Sequence, residues 1–202
     1  MLLKTIAITL LLMLCGCSGQ KSQPTADFPD DLTLRKGDVV FREGIGFTSH
    51  IIQLMDAPGA YTHTGIVTDS AGHFMVIHAV PDEPDFKGDP DRVKMEPIAE
   101  FYGFGKAKSG AVMRADDSAK AALAADIAYR IYKRGTLFDH QYDDSDTTEM
   151  YCSELVSYAF RQARLPLVGD TLRESRFSGK TGRYLFPSDI FHSKRLKTIK
   201  TF

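Results

Sequence analysis

Little in this 202-residue chain leans toward one sign of charge: 25 Lys+Arg face 26 Asp+Glu, a formal charge of −1. No basic surplus exists to hold a polyanion, and no nucleic-acid partner is expected. The one basic cluster, Lys194, Arg195, Lys197 and Lys200, reads as a solvated strand or tail. Long apolar runs are also missing. The longest, Thr5 to Leu14, is ten residues, whereas a helix needs about 20 to cross a bilayer. There is no Gly-x-Ser-x-Gly elbow, no His-Glu-x-x-His helix, no Gly-rich phosphate loop and no Cys-x-x-Cys pair. Their absence removes the commonest serine-hydrolase, zinc-protease, nucleotide and redox readings. Cysteine is scarce, at three residues: Cys15, Cys17 and Cys152.

What is present is an ordinary globular composition, 43% hydrophobic and 25% charged, of a length that suits one domain. Residues 1–16 carry one positive charge, a short apolar stretch and small residues, the pattern of a signal peptide. The run Leu14-Cys15-Gly16-Cys17 resembles the bacterial lipobox, which implies cleavage before Cys17 and a lipid on that residue. Ser18 after it, rather than Asp, favours the outer membrane under Gram-negative sorting logic. The expectation is a lipid-anchored protein of the cell envelope, facing the periplasm. Residues 17–31 are read as the lipidated start and a flexible tether, and 32–202 as the folded domain. Cys152 is then the domain's only thiol, so no intramolecular disulfide forms.

Within the domain, 37–41, 63–68, 73–80, 92–98 and 110–114 read as strands, and 49–55, capped by Ser49, as a short helix. Ala121, Ala124, Ala125, Ala128 and Ile131 recur at helical spacing over 118–134, before Gly135. A second helix spans 151–163, ended by Pro166. Strands without a β-α-β rhythm predict an α+β domain with a mostly antiparallel sheet. The Asp-rich loop (Asp139, Asp143, Asp144, Asp146) lacks the Gly turn and final Glu of an EF-hand.

Cys152 falls at a helix N-terminus, where unpaired N–H groups and the dipole favour its thiolate and can receive an oxyanion. Of six histidines, His63 and His78 stand out. Pairing the two strands through the 69–72 turn with positions summing to about 141 puts His63 opposite His78. His63 can serve as base and His78 as the group that orients it. Zinc held by His63, His78 and Cys152 is a rival reading, and so is a cysteine that merely packs at a helix end.

Gly37-Asp38-Val39-Val40-Phe41, Tyr61-Thr62-His63-Thr64-Gly65-Ile66-Val67, Val76-Ile77-His78-Ala79 and Tyr151-Cys152-Ser153-Glu154-Leu155-Val156 occur in that order. Together they resemble the permuted papain-like thiol hydrolases of the YiiX type. Histidine precedes cysteine by 152 − 63 = 89 residues, the reverse of papain, so the resemblance implies a circularly permuted papain fold with its sheet packed against the cysteine helix. It also implies Cys152 as nucleophile and His63 as base, with no metal and no cofactor. The third polar position often carries Glu in that family and is His78 here; the related lecithin retinol acyltransferase branch uses a His-His-Cys set. Tyr151 and Ser153 flank the nucleophile on the oxyanion or substrate side, and Glu154 either caps the helix or holds a substrate amine. The expected partner is a peptide or acyl-amide substrate, with peptidoglycan stem peptides the nearest. The alternatives are acyl transfer or lipase action on membrane lipids, and a non-catalytic lipoprotein that binds peptide or lipid.

Overall fold

The computed structural model describes residues 26, 28–29, 31–56, 59–143, 145–169, 173–177 and 180–202, with 173–177, 180 and 181 as backbone only. Residues 1–16, read from sequence as a signal peptide, and Cys17 lie outside the described residues. A six-stranded antiparallel sheet is built from β1 (Val39–Gly44), β2 (His63–Ser70), β3 (His73–Val80), β4 (Arg92–Pro97), β5 (Ala107–Ala115) and β8 (Leu196–Thr201) in the order β4-β3-β2-β1-β5-β8. A separate hairpin, β6 (Arg173–Phe177) and β7 (Lys180–Tyr184), follows the cysteine helix. The helices are α1 (Phe47–Met55), α2 (Ile98–Phe101), α3 (Ser118–Lys133), α4 (Cys152–Gln162) and α5 (Pro187–Phe191). The expected α+β class and largely antiparallel sheet are what is seen.

Both faces of the sheet are covered. Val39, Phe41, Ile66 and Ile77 project toward Ala124, Ala128, Leu155 and Phe160 of α3 and α4 in the larger core. Their alternate neighbours Val40, Val67, Val76 and Val112 project the other way, onto Phe101, Tyr102, Leu34 and Ala26. The period of 2 along each strand assigns residues to these two cores. Small alanines on α3 allow it to lie close to the sheet, and Asp117 caps it by accepting the Lys120 N–H at 3.0 Å.

Two expectations shift, and the basic C-terminal cluster takes the first of its two expected forms, a solvated strand. Packing begins by Ala26, not at Leu32: Ala26 N–H donates to Ala107 C=O at 3.0 Å, and Phe28 stacks on Tyr102 with centroids 5.5 Å apart. Two apolar residues in a polar stretch suffice to bind it to the sheet. The first helix starts at Phe47 after Gly46, with no side-chain cap, so Ser49 lies inside it. The basic C-terminal cluster places Lys197 and Lys200 on β8, at the sheet's edge, where exposed lysines discourage pairing with another chain.

Candidate active site

The β2–β3 turn sets the histidines. Ala71 and Gly72 both take positive φ, 54° and 82°, the requirement of a two-residue hairpin loop that preserves strand twist. That loop pairs Ser70 with His73 and Ile66 with Ile77, so opposed positions sum to 143. The register predicted from sequence is therefore two residues out. An even slip keeps the face, and the two rings meet diagonally: His63 Nε2 lies 2.8 Å from His78 Nδ1.

Gly65 makes this diagonal contact possible. A Cβ there would stand 2.6 Å from Val76 Cγ1, 3.0 Å from the Ile77 carbonyl oxygen and 3.1 Å from His78 Cβ. Gly65→Ala is expected to cost roughly 1–3 kcal/mol in urea unfolding through overpacking and to lower activity by displacing His78.

Behind His78 stands a residue the sequence reading missed. Glu96 Oε1 lies 3.1 Å from His78 Nε2, off the axis of the ring N–H. Burial works to raise the Glu96 pKa, but His78 and Lys106 outweigh it and hold the carboxyl well below its usual range. Burial lowers the pKa of His78 more than Glu96 raises it, so this ring is neutral. With Glu96 the carboxylate beside His78 Nε2–H, His78 Nδ1 accepts from His63 Nε2–H, and the lone pair of His63 falls on Nδ1.

A buried ionic cluster surrounds this relay. Glu96 Oε2 is 2.9 Å from Lys106 Nζ and 3.5 Å from Lys94 Nζ. Lys94 also reaches Asp85 at 2.5 Å, and Lys106 reaches Glu83 at 3.2 Å. Arg42 pairs with Glu83, donates to the Phe101 carbonyl at 2.7 Å and lies over the Phe101 ring at 4.7 Å. Burial first, then Arg42, His78 and the two lysines, push the pKa of His63 well below 6.5.

This sets a sign for acid stability. The unfolded His63 takes a proton near pH 6.5 and the folded one does not, so the unfolded state binds more protons as pH falls. Stability is expected to drop as pH falls below about 6.5 and further below about 4.5, where Glu96 takes up a proton in the unfolded chain while the folded carboxyl stays ionised. Thermal melts from pH 7.5 to 5 should show the first drop in the wild type and a weaker one in His63→Gln.

Cys152 is the first residue of α4 and is half-buried. The backbone N–H groups of Thr64 and Ser153 lie close enough to its sulfur to favour the thiolate, and Ser153 Oγ is 3.8 Å away. Thr64 follows His63 in β2, so this contact brings the thiol beside the histidine strand. Both residues line one cleft of about 200 Å³, with Arg42, Lys106, Tyr142 and Phe138. Burial raises the thiol pKa, and the nearby donors and Arg42 only partly offset it. A helix N-terminus leads one to expect a thiolate at rest; desolvation overrides it, and the resting pair is a neutral thiol beside a neutral imidazole.

The remaining candidates divide. Ser153 is fully buried and sets its Oγ 3.8 Å from the sulfur. Tyr151 directs its hydroxyl to the Leu185 N–H at 3.3 Å, toward α5. Glu154 is buried and accepts the Tyr151 N–H at 3.3 Å, the capping alternative. Tyr142, not singled out in the sequence, has φ 55° and borders Cys152 in two clefts. Buried Asp139 fixes that bend by accepting the Gln141 and Asp143 N–H groups at 2.7 and 2.5 Å. The aspartates of the loop thus order their own backbone, as Asp143 and Asp146 also do. Burial, then the proximity of Cys152, raises the Tyr142 pKa and keeps the phenol protonated.

A cysteine at a helix tip, a histidine on the adjoining strand and a polar relay behind it define a papain-like thiol site on a permuted chain. Residues 33–200 match the family described as "Permuted papain-like amidase enzyme, YaeF/YiiX, C92 family", and the chain belongs to it. No curated protein matches the chain. Among solved structures, one described as the metalloprotein yiiX from Escherichia coli O157:H7 has a similar fold, with a TM-score of 0.68 and 19% identity. It covers 85% of this chain and 99% of its own. Zinc does not fit the relay. Two nitrogens on one tetrahedral zinc, each at about 2.0–2.1 Å, stand more than ~3 Å apart, whereas His63 Nε2 and His78 Nδ1 are 2.8 Å apart. Among the described residues no group of three or more His, Cys, Asp or Glu is placed to hold an ion.

Proposed function

We propose that the protein is a cysteine amidase of the cell envelope, with Cys152 as nucleophile, His63 as base and the His78–Glu96 relay holding His63 in its working tautomer. The observation that carries this is the His63–His78–Glu96 chain ending at the cleft that Cys152 shares. As an amide carbonyl enters, His63 Nδ1 takes the thiol proton and Sγ attacks the carbonyl carbon. The carbonyl π electrons move to oxygen, which receives hydrogen bonds from the first N–H groups of α4 and from Tyr142. Collapse expels the amine with the proton carried by His63, leaving a thioester on Cys152. Water, deprotonated by the same nitrogen, releases the carboxylic acid and restores the thiol. Neutral partners at rest make His63 a general base in the manner of a serine hydrolase.

The cleft's mixed lining supports a peptide-like amide as substrate: Arg42, Lys106, Asp82 and Glu83 make one part of it charged, and Ile45, Ile52, Val80 and Phe138 make the rest apolar. Peptidoglycan stem peptides have these features and lie within reach of a protein anchored through Cys17. Hydrolysis of purified muropeptides with release of a new amine supports this reading. Turnover of phospholipids alone would replace it with the acyltransferase or lipase reading, which the apolar α1 wall of the cleft favours. No turnover of either substrate class, with peptide or lipid binding unchanged in Cys152→Ser, would leave only a binding module.

A further inference from the structure

Helix α1 is turned the wrong way for a core helix. Not one of its nine residues is buried, and it contains no Asp, Glu, Lys or Arg. Phe47, Ile51, Leu54 and Met55 recur at the spacing of one helical face. Phe47 is 80% and Leu54 83% exposed, with Ile51 and Met55 half-exposed. The adjoining side lines the cleft through Thr48, Ser49 and Ile52, with Phe47 lining it as well, and buried Asp56, just past the helix, is fixed to Ser188 of α5 at 2.5 Å. The helix is therefore held in place with its apolar stripe outward. Phe104, 76% exposed, stands just before Gly105 and Lys106 of the same cleft.

The path of the N-terminal chain says what lies over this face. Thr33 and Asp38 contact Arg114 at the far end of β5, while Ala26 bonds Ala107 at its start. Ala107 pairs with Gly44, three residues before α1. The chain preceding Ala26 thus joins the domain at the end of the sheet that carries Phe47, Phe104 and the cleft. Ala26 follows Cys17 by only nine positions, a reach of at most about 30 Å. A lipid on Cys17 would tether the domain from this end and so bring this end nearest the bilayer. An uncharged apolar stripe can enter the interface with no charge to desolvate.

We propose that the outward face of α1, with Phe104, is a bilayer-contacting surface that sets the Cys152 cleft at the membrane interface. The proposal rests on the anchor at Cys17 and is independent of whether Cys152 hydrolyses anything. The chain contains no tryptophan, so one introduced indole reports a single position. Phe47→Trp, Phe104→Trp and Leu123→Trp are made in the full chain and bound to phosphatidylethanolamine/phosphatidylglycerol vesicles with brominated acyl chains. Leu123, on α3, is 44% exposed and close to Ala121, which abuts Gly37 at the opposite end of β1. The expected result is a blue shift and several-fold stronger quenching for Phe47→Trp and Phe104→Trp than for Leu123→Trp. Equal, weak quenching of all three on vesicle-bound protein would overturn the proposal. So would a blue shift of Phe47→Trp that follows protein concentration without lipid, which would assign the face to a second copy. Vesicle flotation of Cys17→Ala reports on the anchor separately, and neither readout involves turnover.

Discussion

Cys152→Ala is expected to abolish measurable amide hydrolysis, a loss of at least ~10⁴-fold in kcat, while leaving the fold intact. Removing the nucleophile from a site whose parts act as one unit leaves only binding and the oxyanion donors. The side chain is half-buried, and its loss empties little of the core, so the thermal midpoint should move by no more than a few degrees. His63→Gln is expected to fall within a factor of about ten of the same loss, and the double variant to be no worse than Cys152→Ala. Steady-state release of amine from a muropeptide, measured beside a melt of each variant, checks both statements. Activity retained by a folded Cys152→Ala would remove the thiol from the reaction.

Glu96→Leu is expected to produce the largest stability loss in the polar layer, about 3 kcal/mol, because removing one partner strands buried charge. The loss stays at the lower end of the usual ~3–5 kcal/mol because Lys94 retains Asp85 and Lys106 retains Glu83. Glu96→Gln keeps the volume and can still accept from His78, so it should fold better. Its effect should appear in the pH profile. The imidazolium formed at His63 during the reaction is no longer balanced by a carboxylate two bonds away, so kcat should fall with KM little changed. The acid limb of kcat should also move. A variant that lost stability without either change would make Glu96 a purely structural ion.

The contrast between His63 and Glu96 shows what sequence can and cannot carry. The strands holding His63 and His78, the turn between them and the cysteine helix all follow from local pattern, and the order of those segments leads to the permuted papain fold. The register does not, because its two-residue offset depends on which turn residues take positive φ. Glu96 was invisible for a different reason. Alternation along β4 assigns Val93 and Met95 inward and Lys94 and Glu96 outward to water, the usual reading of an antiparallel strand. Here the second face is also covered, and Lys94 and Glu96 are both 3% exposed, each made tolerable by the other's charge. Tyr142 leaves no periodic trace, since its position comes from Asp139 bending an irregular loop. The thiol's raised pKa has no trace in the sequence, because a helix dipole is legible there and desolvation is not.

The most direct test is to find where the acyl group resides during turnover. The protein is mixed with p-nitrophenyl acetate, quenched in acid within the first turnovers and analysed by intact and peptide mass spectrometry, beside Cys152→Ala and His63→Gln. Acetyl on the peptide carrying Cys152, forming much more slowly in His63→Gln and lost on hydroxylamine treatment, is the predicted result. Unmodified Cys152 throughout nitrophenol release, or equal release by Cys152→Ala, would contradict the account.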